Sequence, residues 1–263
     1  MVGSSIFRIL KQYGYGNKDK GGAIYAPSRQ DLDLSDHSSV LNWFQQFKPS
    51  VVIVAAGKVG GINANATYPA DFILENLKIQ NNVIEASWTR GINKLVFLGS
   101  SCIYPKFANQ PITEDQLLGG HLESSNSSYA VAKIAGINMC QSYRKQHGFN
   151  AIAVMPTNLY GPNDNYDLKT SHVLPALIRK FHEAKINNED VELWGTGDPL
   201  RDFLHVDDLA DALLYIMENQ KNEFLYNIGS GEEISINNLA ELIKEKISFK
   251  GSIKYNSAFP DGT

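Results

Sequence analysis

Two cysteines in 263 residues, Cys102 and Cys140, are too few for a disulfide framework. A reducing, cytoplasmic setting is the default for such a chain. No apolar run approaches the ~18–20 residues that a membrane-spanning helix needs, and the opening Met-Val-Gly-Ser-Ser-Ile-Phe-Arg lacks the layout of a signal peptide. Positive charge is not in excess either. The 24 Lys and Arg against 28 Asp and Glu leave a net charge of −4, which argues against a general nucleic-acid binder but leaves room for local basic clusters. There is no internal repeat, no low-complexity tract and no His/Cys/Asp spacing that suggests a metal site. What is present is a globular composition, 43% hydrophobic and 20% charged. The length suits one large α/β domain, or a domain with a smaller lobe.

Short β-branched runs alternate with longer amphipathic stretches. Val51–Ala56, Lys94–Leu98 and Ala151–Met155 are continuous apolar runs, the form taken by strands buried on both faces of a parallel sheet. Ala23–Tyr25 predicts a further short strand. Helices are predicted over Ser38–Gln46, Pro69–Thr89 and Ser128–His147, with Pro69 suited to a first turn and Gly91 and Gly148 to helix ends. This alternation predicts an α/β fold, a Rossmann-like doubly wound parallel sheet. After about residue 160 glycine, proline and polar residues break the pattern. Helices follow at His172–Ala184, Asp207–Glu218 and Ile236–Lys246, and strands at Glu192–Trp194 and Phe224–Ile228. The chain therefore divides into a main domain over 1–160 and a smaller lobe over 161–263 with segments returning to the main sheet.

Tyr129 and Lys133 are four residues apart on a predicted helix, so they share a face one turn apart. A phenol with a reference pKa near ~10 is a poor acid at pH 7. An ammonium about 4 Å away favours the phenolate by ~4 kcal/mol of gross Coulomb energy at an effective dielectric of ~20. Such a pair can deliver a proton to a carbonyl undergoing reduction. The spacing alone is common on protein surfaces, and the context makes it specific. Upstream, the Lys94–Leu98 strand runs into Gly99-Ser100-Ser101-Cys102-Ile103-Tyr104-Pro105, and strand C-termini face the ligand crevice in open α/β sheets. A Ser100 hydroxyl there can bond the same carbonyl oxygen. Cys140 reads as a small buried hydrophobe, whereas Cys102 lies two residues after that serine.

These residues resemble the extended short-chain dehydrogenase/reductases, and within them the GDP-L-fucose synthase family. The resemblance runs from Met1 to Thr263. Tyr129-Ala130-Val131-Ala132-Lys133 and Arg201-Asp202-Phe203-Leu204-His205-Val206-Asp207-Asp208 are shared with many sugar-nucleotide enzymes. Lys58-Val59-Gly60-Gly61 and Ser100-Ser101-Cys102-Ile103-Tyr104-Pro105-Lys106 are far more particular to that one family. The resemblance implies NADPH-dependent 3,5-epimerisation and 4-reduction of GDP-4-keto-6-deoxy-D-mannose to GDP-L-fucose. It implies that Cys102 is the base and His172 the acid of epimerisation, that Ser100 and Tyr129 hold the enolate oxygen, and that Tyr129, supported by Lys133, protonates O4.

By the same resemblance 1–160 is the dinucleotide-binding domain and 161–263 mainly the substrate-binding lobe. Gly3, Arg29, Leu34, Leu98, Gly99, Ser100, Ser101, Lys133, Pro156, Thr157, Asn158, Leu159 and His172 fall at NADP positions. The planar fork of Arg29 suits a 2′-phosphate. Lys180, Trp194, Arg201 and Asp261 fall where relatives hold the GDP-sugar. A homodimer through a four-helix interface built from the Pro69–Thr89 and Ser128–His147 helices is also implied, with no nucleic-acid or membrane partner.

The chain departs from the family at its beginning. Gly3 matches only the last glycine of Gly-x-x-Gly-x-x-Gly, and the first strand, central in the 3-2-1-4-5-6 order, has no counterpart. The chain also stops at Phe-Pro-Asp-Gly-Thr, where the family continues. The expectation is an internal fragment of a longer reading frame, with a polar insertion around Gly16–Gly22 looping out before the second strand. Two other readings stand beside the epimerase–reductase. One is a different nucleotide-sugar epimerase, dehydratase or reductase of the same fold, against which Cys102 with His172 discriminates. The other is a catalytically impaired fragment that only binds nucleotide sugar or dimerises.

Overall fold

The computed structural model describes residues 1–219 and 223–258. In chain order its elements are α1 (Val2–Gln12), α2 (His37–Phe47), β1 (Val51–Val54), α3 (Ile62–Thr67), α4 (Pro69–Thr89), β2 (Lys94–Leu98), α5 (Ser127–His147) and β3 (Ala151–Pro156). There follow β4 (Asn158–Tyr160), α6 (Val173–Asn187), β5 (Val191–Trp194), β6 (Leu200–His205), α7 (Val206–Asn219), β7 (Leu225–Ile228), β8 (Glu233–Ser235), α8 (Ile236–Ile247) and β9 (Ile253–Asn256).

The two most apolar strands set the layering. In β2 the strand alternation sends Leu95 and Phe97 to one face and Val96 and Leu98 to the other. In β3, Ala151, Ala153 and Met155 oppose Ile152 and Val154 in the same way. Both faces therefore need a cover. The helices α2, α4 and α5 pack on the first through Phe44, Phe72, Ile84 and Ile137, and α1 and α7 on the second through Ile6, Ile9, Leu209 and Leu213. The sheet between them is parallel throughout, in the order β1-β2-β3-β7. It is doubly wound, as the alternation predicts. A third core lies apart, where Leu177 and Phe181 of α6 meet Leu193 of β5, Leu239 and Ile243 of α8, and Phe249. Beside it β5 pairs with β9, and β6 lies between β4 and β8.

Local chemistry fixes the ends. The Asp36 carboxylate accepts the Ser38 and Ser39 amide hydrogens at the start of α2. Pro69 opens α4, and Gly148, at φ 66°, ends α5. Ala23–Tyr25 does not form the expected strand. A strand needs a ladder partner, and no described strand lies along the outer edge of β1. Tyr25 packs instead on Trp43 and Phe47, with ring centres 5.7 and 4.9 Å apart. The insertion near Gly16–Gly22 closes on a 3-10 turn, Lys18–Lys20. Residue His172 precedes α6 as its N-cap rather than lying inside the helix. Among the described residues no helix is long and apolar enough to cross a membrane.

The closest approach in the main core is at Gly136 of α5. A Cβ there would lie 2.5 Å from the Phe97 ring and 3.0 Å from the Gln80 side chain, both fully buried. Alanine favours a helix over glycine by about 1 kcal/mol, but overpacking a core costs about 1–3 kcal/mol. Gly136→Ala is therefore expected to destabilise the fold, read as a lower urea midpoint at unchanged m-value.

Candidate active site

The carboxyl ends of β2 and β3 open the site. The Gly99 amide donates to Val154 O at 2.8 Å, carrying the pairing one residue past β2. A Cβ on Gly99 would sit 3.2 Å from that same oxygen. The chain then bends into a 3-10 turn, Ser101–Ile103, capped by Ser100, whose Oγ accepts the Cys102 amide hydrogen at 3.4 Å. The turn sets Ser100 Oγ and Cys102 Sγ 3.1 Å apart. Just ahead of α5, Asn126 Nδ2 donates to Cys102 O at 3.1 Å. The first turns of α5 deliver Tyr129, 8% exposed, and Lys133, 5% exposed. Lys133 Nζ donates to Leu98 O at 2.8 Å and lies 4.9 and 5.9 Å from the ring centres of Phe97 and Tyr129.

The electrostatics correct one expectation. The Tyr129 phenol is pushed well up, first by burial and then by the Cys102 thiol, which would share the site's negative charge, against a hydrogen bond from Ser100 that lowers it. Lys133 does not make it a phenolate. Its own pKa is lowered to about 8 by burial, with Cys102 raising it, and its ammonium is committed to Leu98 O. Desolvation outweighs the Coulomb attraction that the spacing implies, so Tyr129 is a protonated phenol at neutral pH. Cys102 behaves likewise. It is reachable by solvent, yet protein surrounds it closely enough that desolvation lifts its thiol. Ser100, its own amide, Lys133 and Asn126 pull the other way and do not prevail. Cys102 therefore rests as a thiol.

His172 is the N-cap of α6, and the segment before it is held by the chain that follows β1, the Gly61 amide donating to Thr170 O at 3.0 Å. Surrounding atoms lower its pKa and Asp164 opposes them, so the imidazole rests neutral. The irregular stretch before it is organised by Asp167, whose carboxylate accepts the Lys169 and Thr170 amides at 3.0 Å each and the Thr170 hydroxyl at 2.9 Å.

The remaining expected residues lie on several different elements and turns. Gly3 lies in the first turn of α1, where an added Cβ would be 3.9 Å from Ala55, and no side chain caps that turn. Arg29 is in an exposed turn and acts on Asp33. Leu34 packs on the main core, and its carbonyl accepts Asn82 Nδ2 at 2.9 Å. Leu98 ends β2, and Gly99, Ser100 and Ser101 follow it; Pro156 ends β3, Thr157 links it to β4, and Asn158 and Leu159 lie in β4. Thr157 and Asn158 both bond Asp202, at 3.3 and 3.0 Å. This set fits a dinucleotide in kind: an uncapped helix start, a glycine at the sheet end, a phenol and an ammonium. In the smaller core's neighbourhood Lys180 and Trp194 come together, Nζ lying 5.0 Å from the ring centre. Trp194 is 40% exposed. Arg201 Nη1 bonds Leu200 O at 2.7 Å. Asp261 lies outside the described residues.

Three residues escaped the sequence reading. Asn126 steadies Cys102. Asn76, 2% exposed, donates to Lys58 O and Phe72 O and accepts from Lys58 N. Asp202 collects Ser230 N and Oγ besides Thr157 and Asn158. For Asn76, a polar residue on the buried face of an apolar helix was an available signal.

The sequence model of the NAD dependent epimerase/dehydratase family matches residues 1–229. GDP-L-fucose synthase 1 of Arabidopsis thaliana is 55% identical over 264 residues, spanning 100% of this chain and 80% of that protein. Among solved structures, a GDP-6-OMe-4-keto-L-xylo-heptose reductase from C. jejuni superposes with a TM-score of 0.91 at 36% identity, over 100% of this chain and 85% of that one. A GDP-L-fucose synthetase from Naegleria fowleri bound to NADP gives 0.89 at 29% identity, over 100% and 80%.

The buried Lys133 carries a pH signature. Its folded pKa, about 8, is below its ordinary value of 10.5, so between these values the unfolded chain holds more protons and stability rises with pH. Relative to Lys133→Met, the wild type is expected to gain about 3 kcal/mol across that window. Urea midpoints measured at pH 7.5 and 10.5 check it; parallel curves for the two proteins would refute the buried charge.

Proposed function

The chain belongs to the NAD dependent epimerase/dehydratase family and, within it, to the GDP-L-fucose synthases, and from that membership we propose that it performs NADPH-dependent 3,5-epimerisation and 4-reduction of GDP-4-keto-6-deoxy-D-mannose to GDP-L-fucose. The observation that carries this reading is the 3.1 Å contact between Ser100 Oγ and Cys102 Sγ beside the buried Tyr129–Lys133 pair. A reductase serine and a thiol sharing one turn suit a substrate whose carbonyl is held while its α protons are exchanged.

Ser100 and Tyr129 donate hydrogen bonds to O4 of the 4-keto sugar. Protons at C3 and C5 become acidic because the carbanion they leave delocalises onto that oxygen. Cys102 removes a proton from one ring face, and His172 returns one to the other. Burial lowers the resting thiolate fraction of Cys102 but makes each thiolate a stronger base. The same burial leaves little imidazolium at His172 and makes it a stronger acid when formed. Tyr129 then gives its proton to O4, and Lys133 is close enough to stabilise the phenolate that results. NADPH supplies the hydride to C4 when bound. Arg29 would hold its 2′-phosphate; Lys180 and Arg201 would serve the diphosphate of the substrate, and Trp194, 40% exposed, its guanine. The side-by-side α4 and α5, with Leu74, Trp88 and Val131 exposed along them, form half of a four-helix homodimer interface. Two unpaired cysteines suit a cytoplasmic enzyme.

In deuterated buffer the substrate is expected to take up label at C3 and C5. Cys102→Ser is expected to slow that uptake by ~10²–10⁴-fold, the usual worth of a positioned acid–base group, while NADPH fluorescence titration is unchanged. Full-rate exchange at both positions in Cys102→Ser would remove Cys102 as the base. Arg29→Ala is expected to weaken NADPH binding about tenfold or more, the loss of a charged hydrogen bond worth about 1.5–3 kcal/mol, and to leave NADH binding unchanged in the same titration.

A further inference from the structure

The mechanism above leaves one sequence motif without a task, the Gly57–Gly61 stretch that follows β1. Its first residue abuts the catalytic lysine. A Cβ on Gly57 would lie 3.6 Å from Lys133 Nζ and 2.7 Å from Asn76 Oδ1. The next residue is clamped to α4: the backbone of Lys58 exchanges two hydrogen bonds with the Asn76 side chain, each 3.0 Å, and its Nζ meets Glu75 at 2.7 Å and Asp71 at 3.3 Å. At the far end the stretch grips the backbone leading into His172. The Gly61 amide donates to Thr170 O at 3.0 Å, and Asn63 Nδ2 reaches Lys169 O at 3.4 Å. Gly61 has no room for a side chain. A Cβ there would come under 3.0 Å from the Ser171 carbonyl oxygen, a separation that real Cβ atoms essentially never show. The requirement is one of space alone, since its φ of −66° suits any residue. Behind it Asn65, 7% exposed, ties Gly60 O and Gly61 O with one amide at 2.8 and 3.1 Å.

We propose that Gly57–Gly61 is a rigid positioning bridge that fixes His172 relative to Lys133 and Tyr129, with Gly61 as the residue on which its span depends. The bridge deepens the epimerase reading, on which it rests. The group that reprotonates the sugar stands on a different segment from the group that holds its carbonyl. A displacement of about 1 Å at such a site costs on the order of 10²-fold in rate. One end of the stretch is anchored to α4 by a buried asparagine, and the other is pressed against the Ser171 carbonyl. Its length sets the separation of the two halves of the site.

Gly61→Ala tests this, read in two ways. Deuterium uptake at C3 and C5 is expected to fall about 10²-fold with KM little changed, since the variant moves the acid and leaves the sugar's binding groups in place. The His172 imidazole, assigned in the NMR spectrum by its loss in His172→Gln, is expected to titrate at higher pH as its segment is pushed outward from the atoms that desolvate it; Asp164 is the charged group acting on it. Asn63→Ala, which loosens the same grip without a clash, is expected to move both readings in the same directions by less, and it stands in if Gly61→Ala does not fold. A variant that folds and leaves the His172 titration unchanged overturns the bridge, whatever happens to the rate, and so does an unchanged exchange rate. A wild-type chain that exchanges no deuterium overturns the proposed function instead, and the titration still decides the bridge.

Discussion

Lys133 keeps an ammonium almost out of water, and the oxygen to which its Nζ donates is the carbonyl of Leu98, 2.8 Å away. An unpaired buried charge is costly enough that a protein must either supply such a partner or lose the proton, and the drop to about 8 shows both pressures at work. Because that partner is backbone at the end of β2, the bond locks α5 to one register on the sheet. Tyr129 is then placed one turn ahead on the same helix, above Ser100 and Cys102, which leave that same strand end. Other contacts defend the register: Gln80 Nε2 bonds Ala132 O at 2.6 Å, and Gly136 lets the helix lie against the Phe97 ring.

The same burial gives the site a common electrostatic character. It raises Tyr129 and Cys102 and lowers Lys133 and His172. All four shifts favour the neutral form, so at neutral pH Tyr129, Cys102 and His172 rest uncharged and Lys133, lowered to about 8, still holds its proton. In the proposed reaction charge arises as thiolate, enolate and phenolate, in surroundings where each is poorly solvated and where fixed donors matter most. Ser100, Asn126 and Lys133 are those donors. A surface Tyr–Lys pair with the same spacing would lack this property, which is why the spacing alone says so little.

What could be read from the sequence follows from how local each signal is. The bounds of α4 and β2 were legible to the residue, because Pro69 and a continuous apolar run are self-contained signals. The Ala23–Tyr25 strand was not, since a strand depends on its neighbour. Short, half-buried β4, β6 and β8 carry residues such as Arg201 and Asp202 that look like loop. Ser100, Cys102, Tyr129 and Lys133 were legible as a group through spacing and resemblance. The sign of the Tyr129 shift was not, because burial enters no spacing argument. Asn126 and Asp202 act through individual hydrogen bonds that leave no periodicity to read, whereas Asn76 stood out as a polar residue on the buried face of α4.

The three cores also say where the molecule is least firmly held. Two of them grip the sheet from opposite faces and the third is centred on α6, β5 and α8. Each buries large apolar side chains and is individually stiff. The site lies among them, and its parts are joined mainly by hydrogen bonds: Gly61 to Thr170, Asn158 to Asp202, Tyr104 to Asn227. Such bonds contribute about 0.5–1.5 kcal/mol each, far less than a packed core, and regions held this way open at lower free energy than the fold as a whole. A crevice that must admit a sugar nucleotide and still align groups from separate segments needs that combination: stiff bodies that carry the residues, and short polar ties that set the distance between them.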